Sequence, residues 1–334
     1  MTAAPVWGLR VATDAADGAG HAVRCAALAA ALPGRVQVFV DPGPVPAPLR
    51  VLPDCVAEAA PSAIDRLADA VAEGDIAAII VDSYRVDETA IAGLAAQRPC
   101  AVFRDGAPRR AEAVAIDPSP TAEPREGYLC GPGFAPLAPE IRAARARLGL
   151  RPPPGDRRAG RLPTVLVAFG ARDSADLTGR TLGALAPLAH RLDLIVVLGA
   201  AAPHLAGIRR QVDDLPKARL YVDHGDMAGL YAASELAIGA PGVSQLERLC
   251  LGVPTVLLAQ TETHRPLVAA WVAAGVAMAP EDGIAGLAGE VGRLIADPDA
   301  AYAIAHRGQS LVDGDGAGRL AAALTHSLGL KEAA

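Results

Sequence analysis

The stretch Glu235–His264, ELAIGAPGVSQLERLCLGVPTVLLAQTETH, decides the fold. Leu236–Ile238 reads as a short buried strand. Gly239, Ala240, Pro241 and Gly242 break it with small residues. A helix opens at Val243 or Ser244 and runs to Leu251, and Thr255–Leu258 is the next strand. Strand, small-residue turn, helix and strand make one βαβ unit of a parallel sheet. The free amides and dipole at such a helix start can cradle a phosphate. Gly242, Val243 and Ser244 are therefore candidate anion ligands. Glu247 lies one turn into the helix, where a carboxylate either accepts from a ribose diol or pairs with a cation such as Arg248.

The same alternation extends in both directions. Upstream in this half lie strand Thr164–Phe169, a helix near Leu177–His190, strand Asp193–Leu198, a short strand Leu220–Val222 and helix Met227–Ala233. The first half has strands at Trp7–Thr13, Val36–Val40, Ala77–Val81, Ala101–Phe103 and Ala113–Ile116, with helices at His21–Leu32 and Ile64–Ala72. Between the halves, RPPPGDRRAGRLP (Arg151–Pro163) is Pro- and Arg-rich without apolar periodicity, which predicts an extended linker. The expected layout is a domain over 1–150, a linker over 151–163 and a second domain over 164–334. Two Rossmann-like α/β domains facing a central cleft follow, with ligands beyond the strand C-termini.

Composition agrees with this layout. The chain has 334 residues, 51% of them hydrophobic and 20% charged, enough for two cores and unlike a disordered chain. A net charge of −6 and 3% aromatics argue against a general nucleic-acid binder. Apolar runs such as Leu267–Pro280 fall short of the roughly 18 residues a membrane span needs. The N-terminal MTAAPVWGLRVATD lacks the pattern of a signal peptide. Five dispersed cysteines, Cys25, Cys55, Cys100, Cys130 and Cys250, fit free thiols in a reducing cytoplasm. A monomer is compatible with all of this.

Two further segments carry polar chemistry. In DAADGAGHAVRC (Asp14–Cys25), Gly18 and Gly20 permit a tight turn between a strand and a helix. His21 stands at the helix start, where an imidazole can act as general base near neutral pH. Asp14 is the expected carboxylate behind it, with Asp17 and Asp105 as alternatives. The bland reading makes the glycines a loop and His21 a capping or surface residue. Arg24 follows where a dinucleotide fingerprint would already have shown a third glycine at Val23, so that fold variant is not supported. In VLVAFGARDSADLT (Val165–Thr178), Gly170 opens a turn in which Asp173 or Ser174 can cap the next helix, or the loop amides can meet a phosphate. No metal-ligand spacing is present among the remaining histidines.

Together these segments resemble the UDP-2,4-diacetamido-2,4,6-trideoxy-β-L-altropyranose hydrolases (PseG type) of pseudaminic acid biosynthesis. The resemblance spans nearly the whole chain. It is carried by D-x-x-x-G-x-G-H-x-x-R-C at Asp14–Cys25, VDSY at Val81–Tyr84, LCGPGFAPLAPE at Leu129–Glu140 and VLVAFGARD. It continues through DMAGLYAASELAIGAPGVSQLERLCLGVP and VDGDGAG near Val312–Gly318. It implies a GT-B-like fold related to MurG-type glycosyltransferases. It further implies hydrolysis at the anomeric carbon of a UDP-sugar with inversion, without metal or cofactor, His21 serving as the base. Arg24 and Tyr84 fall in its motifs as substrate-side residues. Gly242–Ser244 would face the diphosphate and Glu247 the ribose. The chain departs from the pattern at Arg172, at Ala138 and at Thr263–His264, where His264 can still donate to a sugar hydroxyl or an N-acetyl carbonyl. A GT-B glycosyltransferase and a non-catalytic nucleotide-sugar-binding protein are the competing expectations.

Overall fold

A computed structural model describes residues 4–13, 19–50, 55–105, 114–121, 124, 126–152 and 161–330. The chain divides into two compact units, Met1–Pro139 with Gly314–Ala334, and Glu140–Asp313.

The first unit holds β1 (Val6–Val11), α1 (Gly20–Ala29), β2 (Arg35–Val40), α2 (Ala47–Arg50), β3 (Cys55–Ala59), α3 (Ala63–Glu73) and β4 (Ala78–Asp82). It continues with α4 (Glu88–Ala95), β5 (Cys100–Phe103), β6 (Val114–Asp117) and β7 (Tyr128–Cys130). The seven strands are parallel in the order β3-β2-β1-β4-β5-β6-β7. β1 shows why both faces are covered. Trp7, Leu9 and Val11 alternate onto one face, in a cluster with Cys25 and Leu28 of α1. On the opposite face Leu67 and Val71 of α3 cluster with Ile79, Val81 and Ile91. Gly8 permits this close approach, since a Cβ there would lie 2.6 Å from Leu67 Cδ1.

The second unit runs from α5 (Pro139–Leu148, whose first residue belongs to the first unit) through β8 (Thr164–Ala168), α6 (Leu177–Leu185), β9 (Asp193–Leu198), α7 (Leu205–Asp213) and β10 (Ala218–Val222). Next come α8 (Met227–Ala233), β11 (Leu236–Gly239), α9 (Val243–Cys250), β12 (Thr255–Leu257), α10 (His264–Ala273), α11 (Leu287–Ala296) and α12 (Pro298–Leu311). Its five parallel strands are ordered β10-β9-β8-β11-β12. Val165, Val167, Leu194, Val196 and Ile238 pack with Leu182, Leu185 and Val291 into its core.

The unit limits differ from those expected. The last helix, α13 (Gly316–Ser327), returns to the first unit, where Leu320, Ala321 and Leu324 join the cluster around Trp7 and Leu28. Gly316 lets it dock, because a Cβ there would fall 2.2 Å from the Ala135 carbonyl oxygen. Most of the expected linker, 153–160, lies outside the described residues. Its start is anchored within the second unit. Arg151 donates to the carbonyls of Gly252 at 2.9 Å and Ser234 at 3.3 Å, and its amide to Gln309 Oε1 at 2.8 Å. Cys25, Cys100 and Cys250 are buried and Cys130 is half-buried. Among the described residues no helix is long and apolar enough to cross a membrane.

Each strand order reverses direction once, between β1 and β4 in one unit and between β8 and β11 in the other. Loops at the carboxyl ends of those strand pairs are where open α/β sheets bind ligands.

Candidate active site

In the first unit the reversal point gathers a charged cluster. His21 is the second residue of α1, and Asp82 is the last of β4. His21 Nδ1 lies 2.6 Å from Asp82 Oδ1, with 5% of His21 and none of Asp82 exposed. Asp82 takes three more donors: Arg24 Nη2 at 2.6 Å and Nε at 2.7 Å, and the Cys25 thiol at 3.0 Å. Burial alone would push its carboxyl up, but the charge and hydrogen bonds of Arg24, with His21, hold it well below the usual range. Burial and Asp82 push the Cys25 thiol up, so it stays a donor. An ionised Asp82 only accepts, so the Nδ1 proton belongs to His21. Among the described residues no hydrogen bond is made to Nε2, whose lone pair is then presented as a base.

The sequence points to Asp14 as this supporting carboxylate; Asp14, Asp17 and Gly18 lie outside the described residues, and the group that holds His21 is Asp82. Gly20 opens α1, whose first amides carry no side-chain cap. Arg24, expected on the substrate side, also holds the carboxylates of the cluster together. Its guanidinium is shared between Asp82 and Asp105, with Nη1 and Nη2 donating to Asp105 at 2.8 and 2.7 Å. It also lies 4.4 Å over the Phe103 ring and is buried, with four of its five N–H groups given to the two carboxylates. Tyr84 is exposed. Its ring meets the His21 ring edge-on at 4.9 Å and its hydroxyl donates to Asp105. It therefore presents an aromatic face beside the base.

In the second unit three loops line one sheet edge, after β8, β11 and β12. Gly170 turns the first with φ +92°. Asp173, placed among the substrate ligands by sequence, caps α6 instead, accepting from the amides of Leu177 at 3.0 Å and Thr178 at 2.7 Å. The start of α9 is different. Gly242 precedes it without a side-chain cap, leaving the amides of Gly242, Val243 and Ser244 open. One turn on, Glu247 Oε2 accepts from the Tyr231 hydroxyl at 3.0 Å, and among the described residues no donor reaches Oε1. Burial pushes this carboxyl up to about 6, against the Tyr231 hydrogen bond and Arg248. Burial likewise draws fully buried Arg248 down, opposed by Tyr231 and Glu247. After β12, Gln260 donates to the Phe169 carbonyl at 2.7 Å, tying that loop to β8. His264 opens α10 with Nδ1 buried and unpartnered, and burial lowers its pKa.

The structure thus brings Gly20, His21, Arg24 and Tyr84 to one edge of the first sheet. It brings Gly170, Gly242–Ser244, Glu247 and His264 to one edge of the second. Sequence reasoning missed Asp82, Phe103, Tyr231, Gln260 and Trp271 as site builders. Asp82 had a legible signal: it is the polar residue that ends the buried run AIIVD, where a β-strand delivers a side chain to the carboxyl edge.

No family model matches the sequence. Among curated proteins, the chain is 29% identical over 203 residues to the spore coat polysaccharide biosynthesis protein SpsG of Bacillus subtilis (strain 168), covering 58% of this chain and 57% of that one. It is 32% identical over 104 residues to an uncharacterised protein of Methanocaldococcus jannaschii, covering 30% of this chain and 22% of that one. The match therefore spans about half the length of the first relative and less of the second. Among solved structures, UDP-GlcNAc 2-epimerase from Neisseria meningitidis bound to UDP-GlcNAc superposes with a TM-score of 0.66 at 14% identity, covering 96% of this chain and 100% of that one. The S. aureus MnaA–UDP co-structure gives 0.66 at 13%, covering 98% of each. Acinetobacter baumannii MurG gives 0.64 at 13%, covering 96% of this chain and 99% of that one. The fold is that of the GT-B glycosyltransferases and epimerases.

Proposed function

We propose that the chain is a UDP-sugar hydrolase that cleaves the anomeric C–O bond with inversion, its substrate a UDP-2,4-diacetamido-2,4,6-trideoxyhexose. The observation that carries this reading is His21, its Nδ1 fixed by ionised Asp82 so that the Nε2 lone pair is left as the base. In the first unit the water that attacks C1 gives its proton to Nε2, and the imidazolium so formed is stabilised by Asp82. The C1–O bond breaks and its electron pair leaves on the diphosphate, which the open amides before α9 stabilise. Glu247 Oε1 takes the ribose hydroxyls, and His264 and the exposed Tyr84 ring meet sugar or nucleotide groups. UDP is a good leaving group, so a second carboxylic acid is not required as in ordinary glycoside hydrolysis. The relation to SpsG supports a place in surface-polysaccharide sugar metabolism, and UDP or a UDP-sugar in the neighbouring structures supports the nucleotide.

A GT-B glycosyltransferase is the second reading, supported by the fold likeness to MurG. One experiment separates them. UDP release from UDP-diacetamido sugars is followed by NMR in a chelator, without acceptor. Hydrolysis gives complete release, and His21→Ala lowers it by about 10²–10⁴-fold while UDP still binds. Release only when an acceptor is added means transfer. No release across the panel overturns the hydrolase.

A further inference from the structure

The turn Gly239–Gly242 is held from beneath by two buried side chains. Arg248 donates from Nη2 to the Ala240 carbonyl at 2.6 Å and from Nε to Gln245 Oε1 at 3.1 Å. Trp271 of α10 donates to the Pro241 carbonyl at 3.2 Å. In a trans peptide the C=O and N–H point to opposite sides. With the Pro241 carbonyl drawn inward, the Gly242 amide faces outward, beside those of Val243 and Ser244.

Arg248 is more than a prop. Its Nη1 is buried and makes no hydrogen bond among the described residues. A Cβ on Gly239 would sit 2.8 Å from that nitrogen, so the guanidinium is pressed against the start of the turn. A buried cation with an unmet N–H is destabilising, and a neutral donor would suffice to hold one carbonyl. The charge has a use here. The chain carries a net −6, so an anionic ligand gains nothing from its overall field and depends on local positive potential. Tyr231 and Glu247 are the groups that face Arg248, and Glu247 is engaged by the Tyr231 hydroxyl.

We propose that Arg248 is the positioning and charge-supplying residue of the α9 anion cradle, and that it sets the preference for a nucleoside diphosphate over the monophosphate or the nucleoside. This rests on the UDP reading above, though not on hydrolysis. The test is calorimetric titration of the full chain with UDP, UMP and uridine near neutral pH, for wild type, Arg248→Met, Arg248→Lys and Gln245→Glu. Gln245→Glu places a carboxylate against Arg248 Nε at unchanged volume. It neutralises the cation without truncating it and remains informative if Arg248→Met does not fold.

The expected result is graded by ligand charge. Arg248→Met and Gln245→Glu weaken UDP about tenfold or more, UMP about threefold and uridine less than about twofold, as a buried charge acting through a low dielectric demands. Arg248→Lys, which keeps the charge, loses less than Arg248→Met. Equal losses for all three ligands make Arg248 a scaffold and overturn the proposal, as does unchanged UDP affinity in Gln245→Glu. A wild type that binds no UDP overturns this proposal together with the nucleotide reading. A wild type that binds UDP but releases none from a UDP-sugar overturns the hydrolytic reading alone.

Discussion

At the scale of single residues, two carboxylates with opposite environments make opposite predictions. Asp82 accepts four hydrogen bonds and stays ionised. In Asp82→Asn the carboxamide oxygen turns to Arg24 and its NH₂ faces His21 Nδ1, which forces the ring proton onto Nε2 and removes the base. Turnover should fall about 10²–10⁴-fold, with circular dichroism at the assay temperature checking that the variant is folded. Normal turnover in a folded Asp82→Asn would remove Asp82 from the mechanism. Glu247 behaves in the reverse sense. Its carboxyl rises from 4.5 to about 6 in the folded chain, so it contributes stability below about pH 4.5 that is lost as the pH rises through about 6. The amount is about 2 kcal/mol. Glu247→Gln cannot ionise, so urea unfolding should show it more stable than wild type at pH 7.5 by up to about that amount, with the gap closing near pH 4.5. The same variant should bind uridine more weakly, since one neutral carboxamide oxygen must then serve both Tyr231 and the ribose. His21 was legible because histidine after a glycine-flanked strand end is chemically conspicuous. The pairings of Asp82 with His21 and of Tyr231 with Glu247 were not, since 61 residues separate Asp82 from His21 and only the sheet order makes them neighbours.

At the scale of elements, two helix starts that read alike in sequence are physically different. GARDSAD before α6 and GAPGVS before α9 both follow a buried strand with small residues. Asp173 fills the first amides of α6, whereas nothing caps α9. Asp173→Ala should therefore cost about 1 kcal/mol of stability, read as a lower thermal midpoint. UDP affinity should stay within about twofold if the α9 cradle, as proposed, holds the anion. A tenfold loss of UDP affinity would return Asp173 to the binding site. Strand legibility followed burial. The inner strands β4, β8 and β9 are buried on both faces and read as near-continuous apolar runs, and β1 is as buried although Arg10 interrupts it. β3 and β7, at the two edges of the first sheet, carry CVAEA and YLC and gave no such run. Edge strand β10 was read only in part, its residues being half-buried or exposed. The later helices lacked a clean signal too, with Pro266 inside the first turn of α10 and glycines within α11.

At the scale of the molecule, the assignment of α13 to the first unit is a long-range fact that no local pattern announces. GAGRLAAALTHS is an ordinary amphipathic helix, and the face bearing Leu320 and Leu324 specifies burial without specifying a partner. Its partners are Trp7, Leu28 and the rest of the first core, some 300 residues back along the chain. The two tryptophans make this testable, since Trp7 lies in the first core and Trp271 in the second unit, both almost fully buried. Trp271→Phe leaves a fluorescent reporter of the first unit, and Trp7→Phe one of the second. Leu324 is fully buried, so Leu324→Ala removes its contacts and leaves a cavity, for a loss of about 2–5 kcal/mol. In the Trp271→Phe background the denaturation midpoint should fall accordingly. In the Trp7→Phe background the transition reported by Trp271 should move by less than half as much, because the second core contains no residue of α13. A larger shift at Trp271 than at Trp7 would assign the last helix to the second unit after all. Truncation before Gly314 should act in the same direction and further, exposing the apolar face that α13 covers and removing the first unit's transition altogether.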